Sequence, residues 1–231
     1  MSAENTAILI FAQTSAEEQK RKSIYKGLAL FNALNERAVR IAEKTGLPYF
    51  LYTEKQQKGT SFAQRFVNAI SEIFAKGYEN VITIGNDSPQ LNSSHIIASL
   101  KQLEKNNFVL GPSTDGGFYL MGLHRSLFNR DAFLELPWQN SALSRSLKDL
   151  ISASSKSVVT LSTLHDIDSA DDLKTLSNFI KELPLLLGKL IRHILSNSDQ
   201  FRQEKSTFFK KIYQHTSPNK GSPIYSISLF G

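Results

Sequence analysis

Val81-Ile82-Thr83-Ile84-Gly85-Asn86-Asp87-Ser88-Pro89-Gln90-Leu91 is the stretch on which the fold turns. Its first four residues are a β-branched run, suited to a strand buried on both faces of a sheet. The run stops at Gly85 and delivers Asp87 just past the strand end. In open α/β sheets the crevice beyond the carboxyl ends of the strands is the usual ligand position. Pro89 closes the extended segment and can seed the next turn. A carboxylate, two small polar side chains (Asn86 and Ser88) and free backbone amides therefore meet at one corner, which suits a divalent cation and the phosphates it bridges. A second reading has Asp87 capping the turn before a helix over 93–103.

Outward from this strand the chain alternates. Thr6 to Ala12 reads as a first strand and 27–44 as a helix with an imperfect apolar stripe. Pro48 to Tyr52 reads as a strand. Ser61 and Gln64 form a capping pair for a helix that keeps Phe62, Phe66, Ala69, Ile70, Ile73 and Phe74 on one face. Beyond the central strand, 108–110 and 118–123 are strands separated by Gly111-Pro112-Ser113-Thr114-Asp115-Gly116-Gly117, too short a spacing for a helix. Helices follow over 141–151 and 169–181, the latter with Asp168 placed as its N-cap, and 157–161 is a late strand. Strands alternating with helices imply parallel pairing with right-handed crossovers, and the close pair around Asp115 breaks that pattern. The expectation is a three-layer α/β/α domain with a mixed sheet, ending near residue 183. Residues 184–231 read as an extension: a further amphipathic helix at 185–195, then irregular chain from about Ser196.

Composition narrows function. The chain has 231 residues, 41% of them hydrophobic, and no cysteine, which excludes disulfides, thiolate catalysis and cysteine-based metal sites. The N-terminus lacks a basic flank and no apolar run reaches the roughly 20 residues of a spanning helix, so a cytoplasmic setting without a membrane span is expected. Of the formal charge of +6, residues 182–231 carry +4, from seven Lys and Arg against three Asp and Glu. The main body is close to neutral, so no specific nucleic-acid binding is expected.

Three loops carry carboxylates: Asn86-Asp87-Ser88, Thr114-Asp115-Gly116-Gly117 and Asp166-Ile167-Asp168. Two aspartates from different loops would satisfy magnesium or manganese on a nucleotide. Gly116-Gly117 permits close approach of a ligand, or simply a tight turn. Lys20-Arg21-Lys22 follows the first strand without a glycine-rich phosphate loop, and a solvated charged segment is the expected reading. Arg65 could pair with a phosphate or carboxylate, or be solvated. Among the five histidines only His165, beside Asp166, adjoins these loops.

The order of motifs carries a resemblance. Gly59-x-x-Phe62-x-x-Arg65-Phe66 is followed by Gly77-Tyr78-x-x-Val81-x-x-Ile84-Gly85-Asn86-Asp87-Ser88-Pro89. Then come Leu110-Gly111-Pro112-x-x-Asp115-Gly116-Gly117-Phe118-Tyr119-Leu120-x-Gly122-Leu123 and Asp166-Ile167-Asp168-x-x-Asp171-Asp172-Leu173. Over roughly Thr6 to Ile180 this resembles an uncharacterised bacterial family of GT-A-type, nucleotide-diphospho-sugar-transferase-like proteins. Its members are labelled candidate glycosyltransferases or radical-SAM/selenodomain-associated transferases. The resemblance implies a Rossmann-like GT-A domain using a nucleotide or nucleotide-sugar donor and an unspecified acceptor. Asp87 and Asp115 would be catalytic, and Asp87 and Asp168 would hold magnesium or manganese. Asn86, Ser88, Arg65, Gly111, Gly116 and Gly117 would contact substrate.

The sequence departs from that family after the first strand, where relatives carry a Pro-x-x-Gly-x-x-Lys-Thr-Arg-type loop. Here Gln13 to Ser23 has no glycine or proline and contains Glu17-Glu18, two acids that repel phosphate unless they point away. The alternative is a binding or scaffold protein that has kept the fold and lost the phosphate loop. The leucines at 185–195 could also serve an oligomer interface.

Overall fold

The computed structural model describes residues 4–154 and 156–197. Six strands form one mixed sheet in the order β2-β1-β3-β5-β4-β6: β1 (Thr6–Phe11), β2 (Tyr49–Tyr52), β3 (Asn80–Ile84), β4 (Phe108–Pro112), β5 (Phe118–His124) and β6 (Val158–Thr160). All pairings are parallel except those of β5, which runs antiparallel to both β3 and β4. The five residues between β4 and β5 are why the direction reverses there, since a parallel crossover needs a dozen residues or more. β1 and β3 are buried throughout, in keeping with their largely apolar and β-branched runs.

Helices cover both faces. α3 (Phe62–Ala75), α5 (Arg130–Leu134) and α6 (Leu143–Ser152) enclose one core with Leu9, Val81 and Met121; α2 (Leu28–Glu43) and α4 (Ser93–Leu103) enclose the other with Ile8, Ile82 and Leu120. The odd and even residues of β1, β3 and β4 thus divide between the two layers, as the strand period of two demands. A third core joins the inner face of α2 to α7 (Ala170–Ser177) and to α8, the helix over 185–197. Leu187, Ile191 and Ile194 are buried there, while Leu185 and Leu186 face outward. The leucines of this helix therefore pack chiefly on their own chain. Residues 198–231, where irregular chain is expected, and His215 among them, lie outside the described residues.

Two expectations are corrected. The charged segment after β1 is not a solvated loop; it forms α1 (Ser15–Arg21), with Thr14 as N-cap. Glu17 pairs with Lys20 and Arg21 at helical spacing, which puts those three charges on the outer face and turns Glu18 inward. The N-cap of α7 is Ser169, one residue after the expected Asp168; Ser169 and Asp172 form a reciprocal capping box. Asp168 is thereby released from capping.

Because Ile191 is fully buried, Ile191→Ala should cost about 2–5 kcal/mol. A lowered urea midpoint with an unchanged slope checks this; an unchanged midpoint would mean that α8 does not share the core.

Candidate functional site

At one edge of the sheet β1 and β3 end and β5 begins, because β5 is antiparallel and Ile84 pairs with Leu120. Three loops meet there, carrying Asp87, Asp115, and Asp166 with Asp168. The loop after β3 is tied to the late loop by the Ile167 amide, which donates to the Asp87 carbonyl at 3.0 Å. Ser88 is buried beneath and its hydroxyl donates to Asp166. Asn86 is also buried; its amide donates to Asn35 at 2.6 Å and to Glu18 at 3.5 Å.

At the centre is the Lys22 ammonium. It lies 3.2 Å from Glu18 Oε2, 3.4 Å from Asp87 Oδ2 and 3.1 Å from Asp168 Oδ1, and it donates to the Ile167 carbonyl at 2.7 Å. Its side chain is 13% exposed. Burial pushes the ammonium pKa down, and Asp87, Glu18 and Asp168 more than reverse that, so it lies above the ordinary lysine value. Burial raises Glu18 and Asp168, against the pull of Lys22 in both. Asp166 is pushed up to about 8, first by burial and then by the neighbouring Asp87 carboxylate.

Above these acids opens a cleft of about 400 Å³. One wall is acidic: Asp87, Asp115, Asp166 and Asp168. The other is aromatic: Phe11, Phe62, Phe66, Phe118 and Trp138. The rings interlock, with Phe66 centred 5.1 Å from Trp138 and 5.0 Å from Phe11. The Trp138 indole N–H donates to the Phe133 carbonyl at 2.7 Å, which orients the ring.

Asp87, Asp115, Asp168, Asn86 and Gly117, all expected from the sequence, line this cleft. Asp115 is held by the Ser113 hydroxyl at 2.5 Å and the Gly117 amide at 2.9 Å. The remaining expected residues stand elsewhere. Arg65 is not among the residues lining the cleft, and its guanidinium donates to the Thr60 carbonyl at 3.5 Å. Gly111 lies against the Tyr119 ring, where an added Cβ would stand 2.5 Å from a ring carbon. Gly116 has φ +92°, and a Cβ there would stand 2.2 Å from the Ser141 carbonyl oxygen. Its bareness admits the segment that carries Trp138, which is further latched by Ser144 N–H to the Gly116 carbonyl at 3.1 Å. His165 stacks on Phe179 and does not line the cleft.

Sequence reasoning missed Lys22 and Glu18 as parts of the site, along with the aromatic wall. The helical spacing of Glu18 and Lys22 was a usable signal. The wall had none, since Phe11, Phe62, Phe118 and Trp138 come from four separate elements.

Residues 19–140 match a family described as "Uncharacterized protein conserved in bacteria (DUF2064)". The chain belongs to this family. No curated protein matches it. Among solved structures it is similar to a candidate nucleotide-diphospho-sugar transferase from Desulfovibrio desulfuricans G20, with TM-score 0.68 and 21% identity over 87% of this chain and 98% of that one. That likeness shows the nucleotide-diphospho-sugar transferase fold. Similarity extends more distantly to a manganese complex of Rv0371c from Mycobacterium tuberculosis H37Rv (TM-score 0.40, 11% identity, 74% of this chain and 97% of that). It also extends to CMP:2-keto-3-deoxy-manno-octonic acid synthetase complexed with CTP (TM-score 0.44, 11% identity, 77% of this chain and 100% of that). These two are too remote in shape to bear on this chain's chemistry.

The acids fit a cation in one specific way. Among the described residues no three His, Asp or Glu side chains form a ready-made metal site. The point where Glu18, Asp87 and Asp168 converge is taken by Lys22. A magnesium or manganese ion carried on a nucleotide needs only one or two carboxylates, with phosphates and water completing its shell. Asp87 and Asp168, which touch Lys22 through one oxygen each, also line the cleft and could supply them.

Two tests follow from the charges. Lys22→Met leaves three acids around a partly buried point and should destabilise the protein by about 3–5 kcal/mol at pH 7, read by urea denaturation. Asp166 has a folded pKa above its unfolded value, so its contribution favours folding at low pH and is lost as pH rises from about 4 to about 8. Asp166→Asn should therefore match the wild-type melting temperature near pH 4 and exceed it increasingly toward pH 8; parallel curves would contradict the shift.

Proposed function

We propose that the chain is a transferase that takes a nucleotide or nucleotide-sugar donor into the cleft beside Asp87. The observation that carries this reading is the cleft itself. On a fold shared with a candidate nucleotide-diphospho-sugar transferase, it opens at the carboxyl edge of β1 and β3 and gathers acids from three loops. Every residue lining it falls before 169, in keeping with a site carried by residues 1–183 and an extension over 184–231. The reading includes a cytoplasmic setting, in keeping with a chain without cysteine. Among the described residues no helix is long and apolar enough to cross a membrane.

In this reading Asp87 and Asp168 hold magnesium or manganese together with the donor phosphates. The ion would supply neutralisation of the negative charge that builds on the leaving phosphate or diphosphate. The protein's own part is positional. Lys22 clamps Asp87 and Asp168 from behind, so that neither carboxylate must reorganise when the donor arrives. Asn86 and Ser88 set the path of the Asp87 loop through Asn35 and Asp166. Asp115 faces the cleft from the opposite loop as the carboxylate available to the acceptor.

One observation favours a second reading, a binding or scaffold protein without turnover: α1 follows β1 where related chains carry a glycine-rich phosphate loop, and its Glu18 is turned toward Asp87.

Titration calorimetry with nucleoside triphosphates and sugar nucleotides, with and without manganese, separates the two. The transferase reading expects metal-dependent binding of one nucleotide class, lost in Asp87→Ala with the fold intact by circular dichroism. No binding across the panel by a folded sample would leave the scaffold reading.

A further inference from the structure

The described residues lining the cleft include four aspartates and six aromatic rings, and no lysine, arginine or histidine. The Lys22 ammonium is not among the lining residues and is already shared among three carboxylates. A donor diphosphate can enter with a divalent cation. A second anion, on the acceptor, would meet no Lys, Arg or His side chain among the described residues that line the cleft. Like charges a few ångströms apart cost about 1 kcal/mol in water and several-fold more in a partly desolvated site. The lining also includes the rings of Phe62, Phe118 and Trp138, none of which is fully buried. An aromatic face covers an apolar ring face, and carboxylates accept hydrogen bonds from hydroxyl groups at its rim.

We infer that the acceptor is an uncharged, hydroxyl-bearing ring, of the sugar class, seated between Trp138 and the aspartates, and not a phosphate ester. This rests on the transferase reading and deepens it, because a hydroxyl acceptor matches glycosyl transfer. The acceptor oxygen bonds to the anomeric carbon of the donor. The bond from that carbon to the diphosphate breaks, with its electron pair leaving on the nucleoside diphosphate, and the hydroxyl proton passes to a cleft carboxylate. Nucleotidyl transfer onto a phosphate would instead need two polyanions in a cleft lined by no cation.

Trp138 is the only tryptophan in the chain, so its fluorescence reports this wall alone. The full-length protein, with manganese and the nucleotide chosen by calorimetry or with none, is titrated with a panel of neutral mono- and disaccharides and their matched phosphate esters. The expected result is saturable change in Trp138 emission with a neutral sugar, and about tenfold or more weaker binding of its phosphate ester. Gln139 also lines the cleft, and Gln139→Lys should tighten the ester relative to the neutral sugar, narrowing the ratio between them. Equal or tighter binding of the ester by the wild type overturns the inference, as does silence across the neutral panel. If a nucleotide binds and no neutral sugar does, the inference fails and the transferase reading stands. If a neutral sugar binds and no nucleotide does, the transferase reading fails while the ring site stands.

Discussion

One ammonium organises this protein's acidic corner. Lys22 reaches Glu18 on its own helix, Asp87 after β3, and Asp168 and the Ile167 carbonyl on the late loop. Three elements distant in sequence are thus held by one side chain. At separations near 3.2 Å each pair is worth roughly 5 kcal/mol of gross attraction at an effective dielectric of about 20. Desolvation of the four charges takes back much of that, so the cluster's net effect is geometric more than stabilising. It decides where two carboxylates point. Remove Lys22, and Asp87 and Asp168 would repel each other across the place that its ammonium fills.

The aromatic wall is the complementary constraint. Trp138 lies on a segment without regular structure, and its position depends on what lies beneath it. Gly116 supplies the space, Ser144 the latch and Phe133 the acceptor for the indole. The two walls are therefore built by different physics. Charge pairing sets the acidic one, and close backbone approach with ring packing sets the other. They face each other because β5 is antiparallel, which brings the start of β5 to the same edge as the end of β3.

The acids of Gln13 to Ser23 show how local structure resolves a conflict that composition states badly. Two adjacent glutamates after the first strand read as hostile to phosphate. In a helix, neighbours are about 100° apart, so Glu17 faces solvent with Lys20 and Arg21 while Glu18 turns in to Lys22. The pair never acts as one patch.

By itself the sequence determined the strand run Val81 to Ile84, the helical face from Phe62 to Phe74 and the reversal around Asp115. Each is a local pattern whose period or spacing allows one element type, and together they imply the mixed α/β sheet. It also singled out Asp87, because a carboxylate just past a strand end is visible in one dimension; Asp115 and Asp168 stood out as loop carboxylates, and their roles were what the family resemblance implied. Only the tertiary structure decided that Lys22 is the partner of Asp87 and Asp168, and that Gly116 and Gly111 are bare to admit Ser141 and Tyr119. It alone gathered Phe11, Phe62, Phe118 and Trp138 into one wall. Those facts are distances between residues far apart in the chain, and a charged or aromatic side chain carries no mark of which distant partner will desolvate it.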